Sequence, residues 1–171
     1  GARQIVPGSW ERTLSVEAAH IQVEMRSDPR YLCGARELVS QVARRVGFDD
    51  LGCARLALAV DEALANVIRH GYKSQTDRPI WISIWPLMDA RGEATGLKVV
   101  IEDEARHVDV EEIKSRDLDD VRPGGLGVHI IREVMDEARY EKREGRGMRL
   151  TLVKYIDASR AVRSAREDGH A

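Results

Sequence analysis

Val60-Asp61-Glu62-Ala63-Leu64-Ala65-Asn66-Val67-Ile68-Arg69-His70-Gly71-Tyr72 is the stretch on which the reading of this chain turns. It closes a proline-free run from Leu51 to His70 that is rich in Ala and Leu, and Gly71 supplies a C-terminal stop, so one helix is predicted there. At about 3.6 residues per turn, Cys53, Leu56, Val60, Ala63, Leu64 and Val67 share a broad apolar face. Leu58, Ala65 and Ile68 add a second apolar flank. Arg55, Glu62, Asn66, Arg69 and Lys73 are left as a narrow polar stripe. Glu62 and Asn66 project from one side, one turn apart. Hemmed in by apolar flanks, a carboxylate and an amide are costly unless something satisfies them, and a metal ion is one such group. A solvated helix face is the commoner reading of a single motif like this, with Glu62 paired to Arg55 or Arg69.

A second signal shifts the balance. Arg122-Pro123-Gly124-Gly125-Leu126-Gly127-Val128-His129-Ile130-Ile131 runs a glycine-rich turn into an apolar-periodic segment, predicted as a helix over about 127–136. Free backbone N–H groups and the positive end of the helix dipole suit a phosphate there, and glycine lets the backbone come close. Glycine clusters also mark ordinary loops, so the weight lies in the pairing of the two segments.

Together they resemble the ATPase domain shared by histidine kinases, gyrase and MutL (the GHKL superfamily, with its Bergerat fold), in its anti-sigma-factor serine/threonine kinase branch. Glu62-Ala63-Leu64-Ala65-Asn66 looks like that family's helix motif, followed by His70-Gly71-Tyr72. Gly124-Gly125-Leu126-Gly127 looks like its second glycine box, and the likeness runs from about Ile21 to Tyr155. The resemblance implies an ATP- and Mg²⁺-dependent kinase. Asn66 would be its Mg²⁺ ligand and Glu62 the general base for a serine or threonine hydroxyl. Asp103 would accept the exocyclic amine of adenine. Gly124, Gly125, Leu126 and Gly127 would hold the phosphates, with Arg122 placed to reach the γ-phosphate. Implied partners are a sigma factor and a small antagonist of the STAS type in a partner-switching pathway, with a homodimer possible. Two departures stand out. Ala105-Arg106-His107 follows Asp103-Glu104 where the family has glycine, a change that restricts the backbone and can crowd the base. Gly147-Met148-Arg149 replaces a common Gly-Thr. A nucleotide-responsive binding module with weak or no catalysis is therefore the alternative. A histidine kinase catalytic fragment ranks third, because no dimerising phosphoacceptor helix pair precedes the domain.

The remaining chain fits one domain. Its 171 residues are 43% hydrophobic and 33% charged, as in a soluble globular protein. A net charge of −2 from interspersed acids and bases gives no drive towards nucleic acid. No membrane-spanning run or signal peptide is evident, so a cytoplasmic location is expected. Cys33 and Cys53 read as reduced, buried small residues, and the five histidines lack zinc-ligand spacing. Residues 1–19 are expected to form an arm with a short strand near 12–16, and 157–171 a fraying tail. The kinase domain fills 20–156. Within it, His20–Met25 is a half-buried strand, and Ser27-Asp28-Pro29 starts a helix that ends at Gly47. Leu32, Ala35, Leu38, Val39, Val42 and Val46 keep that helix's inner face. Arg78–Pro86 and Leu97–Glu102 pair as a hairpin, Asp103–Pro123 is a charged lid or loop, and Ala138–Arg143 pairs with Met148–Tyr155. The predicted class is α+β, a two-layer sandwich of a mixed, mostly antiparallel sheet with its helices on one face.

Overall fold

The computed structural model describes residues 18–106 and 125–157. Most of the arm with its expected strand near 12–16, the tail beyond Asp157 and most of the charged segment after Asp103, with Arg122 and Gly124, lie outside the described residues. Strand β1 (Ile21–Arg26) alternates half-buried and exposed residues, as a period of two demands. Asp28 then caps a single 3-10 turn (Pro29–Tyr31) by accepting the Arg30 N–H at 2.9 Å, and α1 (Leu32–Val46) follows. Gly47 ends α1 in the left-handed region at φ 116, its N–H turned back to the Ala43 and Arg44 carbonyls. Val39 and Ala43 are buried on this helix, with Leu32, Ala35, Leu38, Val42 and Val46 packed around them.

Asp49 opens α2 (Asp50–Asn66) by accepting the Gly52 N–H at 2.8 Å. The predicted apolar face is buried at Cys53, Leu56, Val60, Ala63 and Leu64. The helical run stops at Gly71 as predicted, but not as one regular α-helix. After Asn66 the coil widens into a π turn over Val67–Gly71, and the chain leaves it through left-handed Lys73 and Ser74, at φ 51 and 63. Gly71 does not serve as a left-handed cap; a Cβ there would stand 3.0 Å from the Ala105 methyl.

Strands β2 (Pro79–Met88), β3 (Ala94–Glu102), β4 (Glu137–Lys142) and β5 (Met148–Tyr155) complete a sheet of order β1-β2-β3-β5-β4. Helix α3 (Gly125–Val134) precedes β4. Every neighbouring pair is antiparallel, so the mixed sheet of the sequence reading is corrected for the described residues. Strand β4 does run in the direction of β3, but β5 lies between them. Ile80, Ile82, Ile84, Leu97, Val99, Ile101, Leu150 and Leu152 share one core with Leu56, Val60 and Leu64 of α2 and Ile131 of α3. Lys98 lies over the Trp85 ring at 4.3 Å, so a charged side chain covers apolar surface there. Cys33 is exposed, against expectation, while Cys53 is buried; both are free thiols.

The capping side chain expected ahead of Pro29 is that of Asp28, and Ser27 stitches β1 to the entry of β2. It is fully buried, its hydroxyl donates to the Gln75 carbonyl at 2.5 Å, and it accepts the Arg78 N–H at 3.0 Å. Ser27→Ala should cost about 1–3 kcal/mol by orphaning those groups. A lowered denaturation midpoint at unchanged m-value checks this.

Candidate functional site

Gly127, in the first turn of α3, lies directly over the polar stripe of α2. A Cβ at Gly127 would stand 2.6 Å from Glu62 Oε2 and 3.2 Å from Asn66 Nδ2, so glycine leaves the only space between two helices this close. The first turn of any helix carries N–H groups without intrahelical partners, and here that turn includes Gly125, Leu126 and Gly127. Helix α3 thus begins at Gly125, two residues earlier than predicted.

Asn66 Nδ2 is buried and has no hydrogen-bond partner among the described residues. Such an orphan costs about 1–3 kcal/mol, so the position suits a further polar group. A half-turn of the amide would present Oδ1 at the same place, which fits a hard cation. Glu62, half-buried beside it, forms no ion pair among the described residues with Arg55 or Arg69; Arg36 reaches its neighbour Asp61 at 3.6 Å. Arg55, Arg69 and Lys73 of the stripe are exposed, as the simpler reading has it, but its pairing of Glu62 with an arginine is absent among the described residues.

From Asn66 a cavity of about 110 Å³ runs inward to Asp103 between mostly apolar walls that include Val67, Ile101, Val128, Tyr140, Met148 and Leu150. Asp103 is 5% exposed; its Oδ1 accepts the Ala105 N–H at 2.8 Å and the Met148 N–H at 3.3 Å. Its own N–H donates to the Met148 carbonyl at 3.1 Å, and its carbonyl accepts from Arg143 Nη1 at 2.6 Å. The buried carboxylate is therefore anchored to β5 and the hairpin. Tyr72 secures the adjoining loop: its hydroxyl donates to the Pro79 carbonyl at 2.6 Å and accepts the Glu104 N–H at 2.7 Å. Burial pushes its phenol pKa up. Ala105 has no left-handed backbone, and its methyl takes the space that Gly71 leaves, so the backbone restriction expected of it does not arise.

The structure brings Asn66 and Asp103 to one cleft and sets Glu62 and Gly127 beside Asn66, and further residues build it. Gly147 is the most constrained, at φ 97 with a Cβ position 1.8 Å from the Asp103 carbonyl oxygen. The sequence singles out Gly147 only through the Gly-Thr that Gly147-Met148 replaces, and its approach to Asp103 depends on a contact far away along the chain. A larger hollow of about 560 Å³ at the start of α2 has two of its three carboxylates engaged already, Asp157 being the third. Asp49 holds the Gly52 N–H, and Asp136 holds Lys154 Nζ at 3.0 Å and the Tyr155 N–H at 2.7 Å.

Burial pushes the Tyr140 pKa up to about 12, so the ring is a neutral wall of the cleft. The unfolded phenol loses its proton near pH 10. Between that point and the folded value the unfolded state binds fewer protons, so stability contributed by Tyr140 is lost as pH rises through that window. Tyr140→Phe should flatten the alkaline limb of the stability curve measured by urea unfolding.

Comparison with known proteins agrees with this geometry. A family model described as a histidine kinase-like ATPase domain matches residues 25–154. The chain is similar to the serine-protein kinase RsbW of Staphylococcus epidermidis, 29% identical over 147 residues that cover 80% of this chain and 87% of that protein. It is also similar to the serine-protein kinase RsbW of Bacillus subtilis, 28% identical over 152 residues that cover 84% and 89%. Among solved structures it is similar to a chain in the SiaB-SiaC complex from Pseudomonas aeruginosa. That match has a TM-score of 0.53 at 12% identity and covers 81% and 91% of the two chains, a likeness of fold.

Proposed function

We propose, from the premise that this chain belongs to the histidine kinase-like ATPase domain family, that it is an ATP-dependent protein serine/threonine kinase and an anti-sigma factor. Its substrate would be a small antagonist protein, released from the kinase once phosphorylated, with a sigma factor as the competing partner. The observation that carries this reading is the seating of Gly127 against Glu62 and Asn66, which brings a helix N-terminus, a carboxylate and an orphaned amide to the mouth of one cleft. The names of the similar proteins support serine as the acceptor.

In this reading Asp103 receives the exocyclic amine of adenine, and the apolar walls exclude water from the base. The N–H groups of the α3 first turn bind phosphate oxygens, with Gly124 and Arg122 contributing from the preceding segment. Asn66 would hold Mg²⁺, which when bound neutralises phosphate charge. Glu62 accepts the proton as the substrate hydroxyl oxygen bonds to the γ-phosphorus. The bond from that phosphorus to the β,γ-bridging oxygen breaks, and ADP leaves with the electron pair. The site works in the cytoplasm, where a sigma factor would be met; among the described residues no helix is long and apolar enough to cross a membrane.

The test is label transfer from [γ-³²P]ATP to a purified antagonist domain by the full chain. Label on a serine or threonine is the expected result. ATP binding without transfer would reduce the protein to a nucleotide-responsive binding module.

A further inference from the structure

Behind the wall formed by Gly71, Ala105 and Arg106, which it shares with the nucleotide cleft, lies a second cavity of about 260 Å³. Four cations from separate segments line it: Lys73 after α2, Arg78 before β2, Arg106 after β3 and Arg146 in the turn between β4 and β5. The carboxylate of Glu104 is the one acidic group there. None of the four cations reaches an acid within ion-pair distance among the described residues. Elsewhere Arg30, Arg44, Arg149 and Lys154 each do, at 2.6 to 3.0 Å.

The end of a helix attracts cations, which accounts for Lys73. It does not account for three guanidinium groups brought from other parts of the chain. All four are exposed, so water screens their mutual repulsion, and a bound anion would relieve what remains of it. Arg78 is already oriented, its Nε held by Gln75 Oε1 at 3.0 Å. Planar guanidinium forks converging on a concave site match the oxygens of a phosphate group better than those of a diffuse surface.

We infer that this cavity is a phosphate-binding site distinct from the nucleotide cleft. The phosphate arrives either free or carried on a phosphorylated side chain, and both present the same dianion. Lying behind the Gly71–Ala105 wall, the site sits where an occupant can bear on the loop that holds Asp103.

The full chain is titrated at low ionic strength with inorganic phosphate and, separately, with a short phosphoserine peptide, followed by amide chemical shifts. Saturable shifts at Lys73, Ala105 and Arg146 are expected with at least one probe, and tighter binding of the peptide would assign the carried form. Lys73→Gln and Arg146→Gln should each weaken binding about tenfold, the scale of one charge-assisted hydrogen bond. Arg149→Gln, on the outer sheet face, should change it little. Equal losses for Arg149→Gln would reveal mere net charge and overturn the assignment. So would binding unaffected by the Lys73→Gln/Arg146→Gln pair, or binding abolished by Asn66→Ala, which would place the phosphate in the nucleotide cleft. Failure of the kinase assay leaves this titration untouched, so the two readings fall separately.

Discussion

Glu62→Gln is expected to lower phosphoryl transfer about 100- to 10,000-fold, the contribution of a positioned general base, while ATP affinity moves by less than about threefold. The separation follows from the surroundings of the residue. Glu62 makes no ion pair among the described residues, so its charge supports no neighbour that would collapse on its loss. Glutamine keeps the shape that packs against Gly127, where there is no room for a Cβ. What disappears is the proton acceptor. Initial rates of label transfer, set beside calorimetric ATP binding, read the two effects independently. Transfer kept within tenfold of the parent would mean that the proton goes elsewhere. Loss of ATP binding in step with the rate would make Glu62 a binding group, and the proposed division of labour with Asn66 would be wrong.

The juxtaposition of Glu62 and Asn66, though not their proposed roles, was legible in the sequence because both residues sit on one helix, where position along the chain fixes direction in space. The same holds for the Gly47 cap and for the strands, whose alternation survives in the burial of β1. Asp103 was singled out only through the family resemblance, and it is buried. What was missed shares a physical origin. Gly71 looked like a cap because glycine usually is one at a helix end, yet its role is steric and depends on Ala105, a residue far away in sequence. Ser27 shows no sign in the local sequence of its bonds to Gln75 and Arg78, which lie far along the chain, while the cap expected ahead of Pro29 is made by Asp28. The walls of the cleft, Tyr140, Met148 and Leu150, come into place only when β5 inserts between β3 and β4. Local pattern carries no record of that insertion.

Gly147 is where the hidden, long-range part of the site can be tested most sharply. Gly147→Ala should destabilise the fold by about 3–5 kcal/mol and remove measurable ATP binding. Two costs add. At φ 97 a side chain is strained by about 1–3 kcal/mol. The new Cβ would also lie 1.8 Å from the Asp103 carbonyl oxygen and 3.0 Å from Glu104 Cα, which are backbone atoms without a rotamer to yield. Relief requires moving the Asp103 loop, and with it the bonds to Met148 and Arg143 that hold the carboxylate at the end of the cleft. Gly145→Ala provides the control within the same turn. Its φ of 81 carries the strain, but no atom lies within 4 Å of the added methyl. It should therefore lose only the strain component and keep ATP binding. Urea midpoints and nucleotide titrations of the pair separate the two costs. Matching losses of stability, with ATP bound by both variants, would show that the hairpin yields without disturbing Asp103, and that the hairpin does not set the geometry of the base end of the cleft.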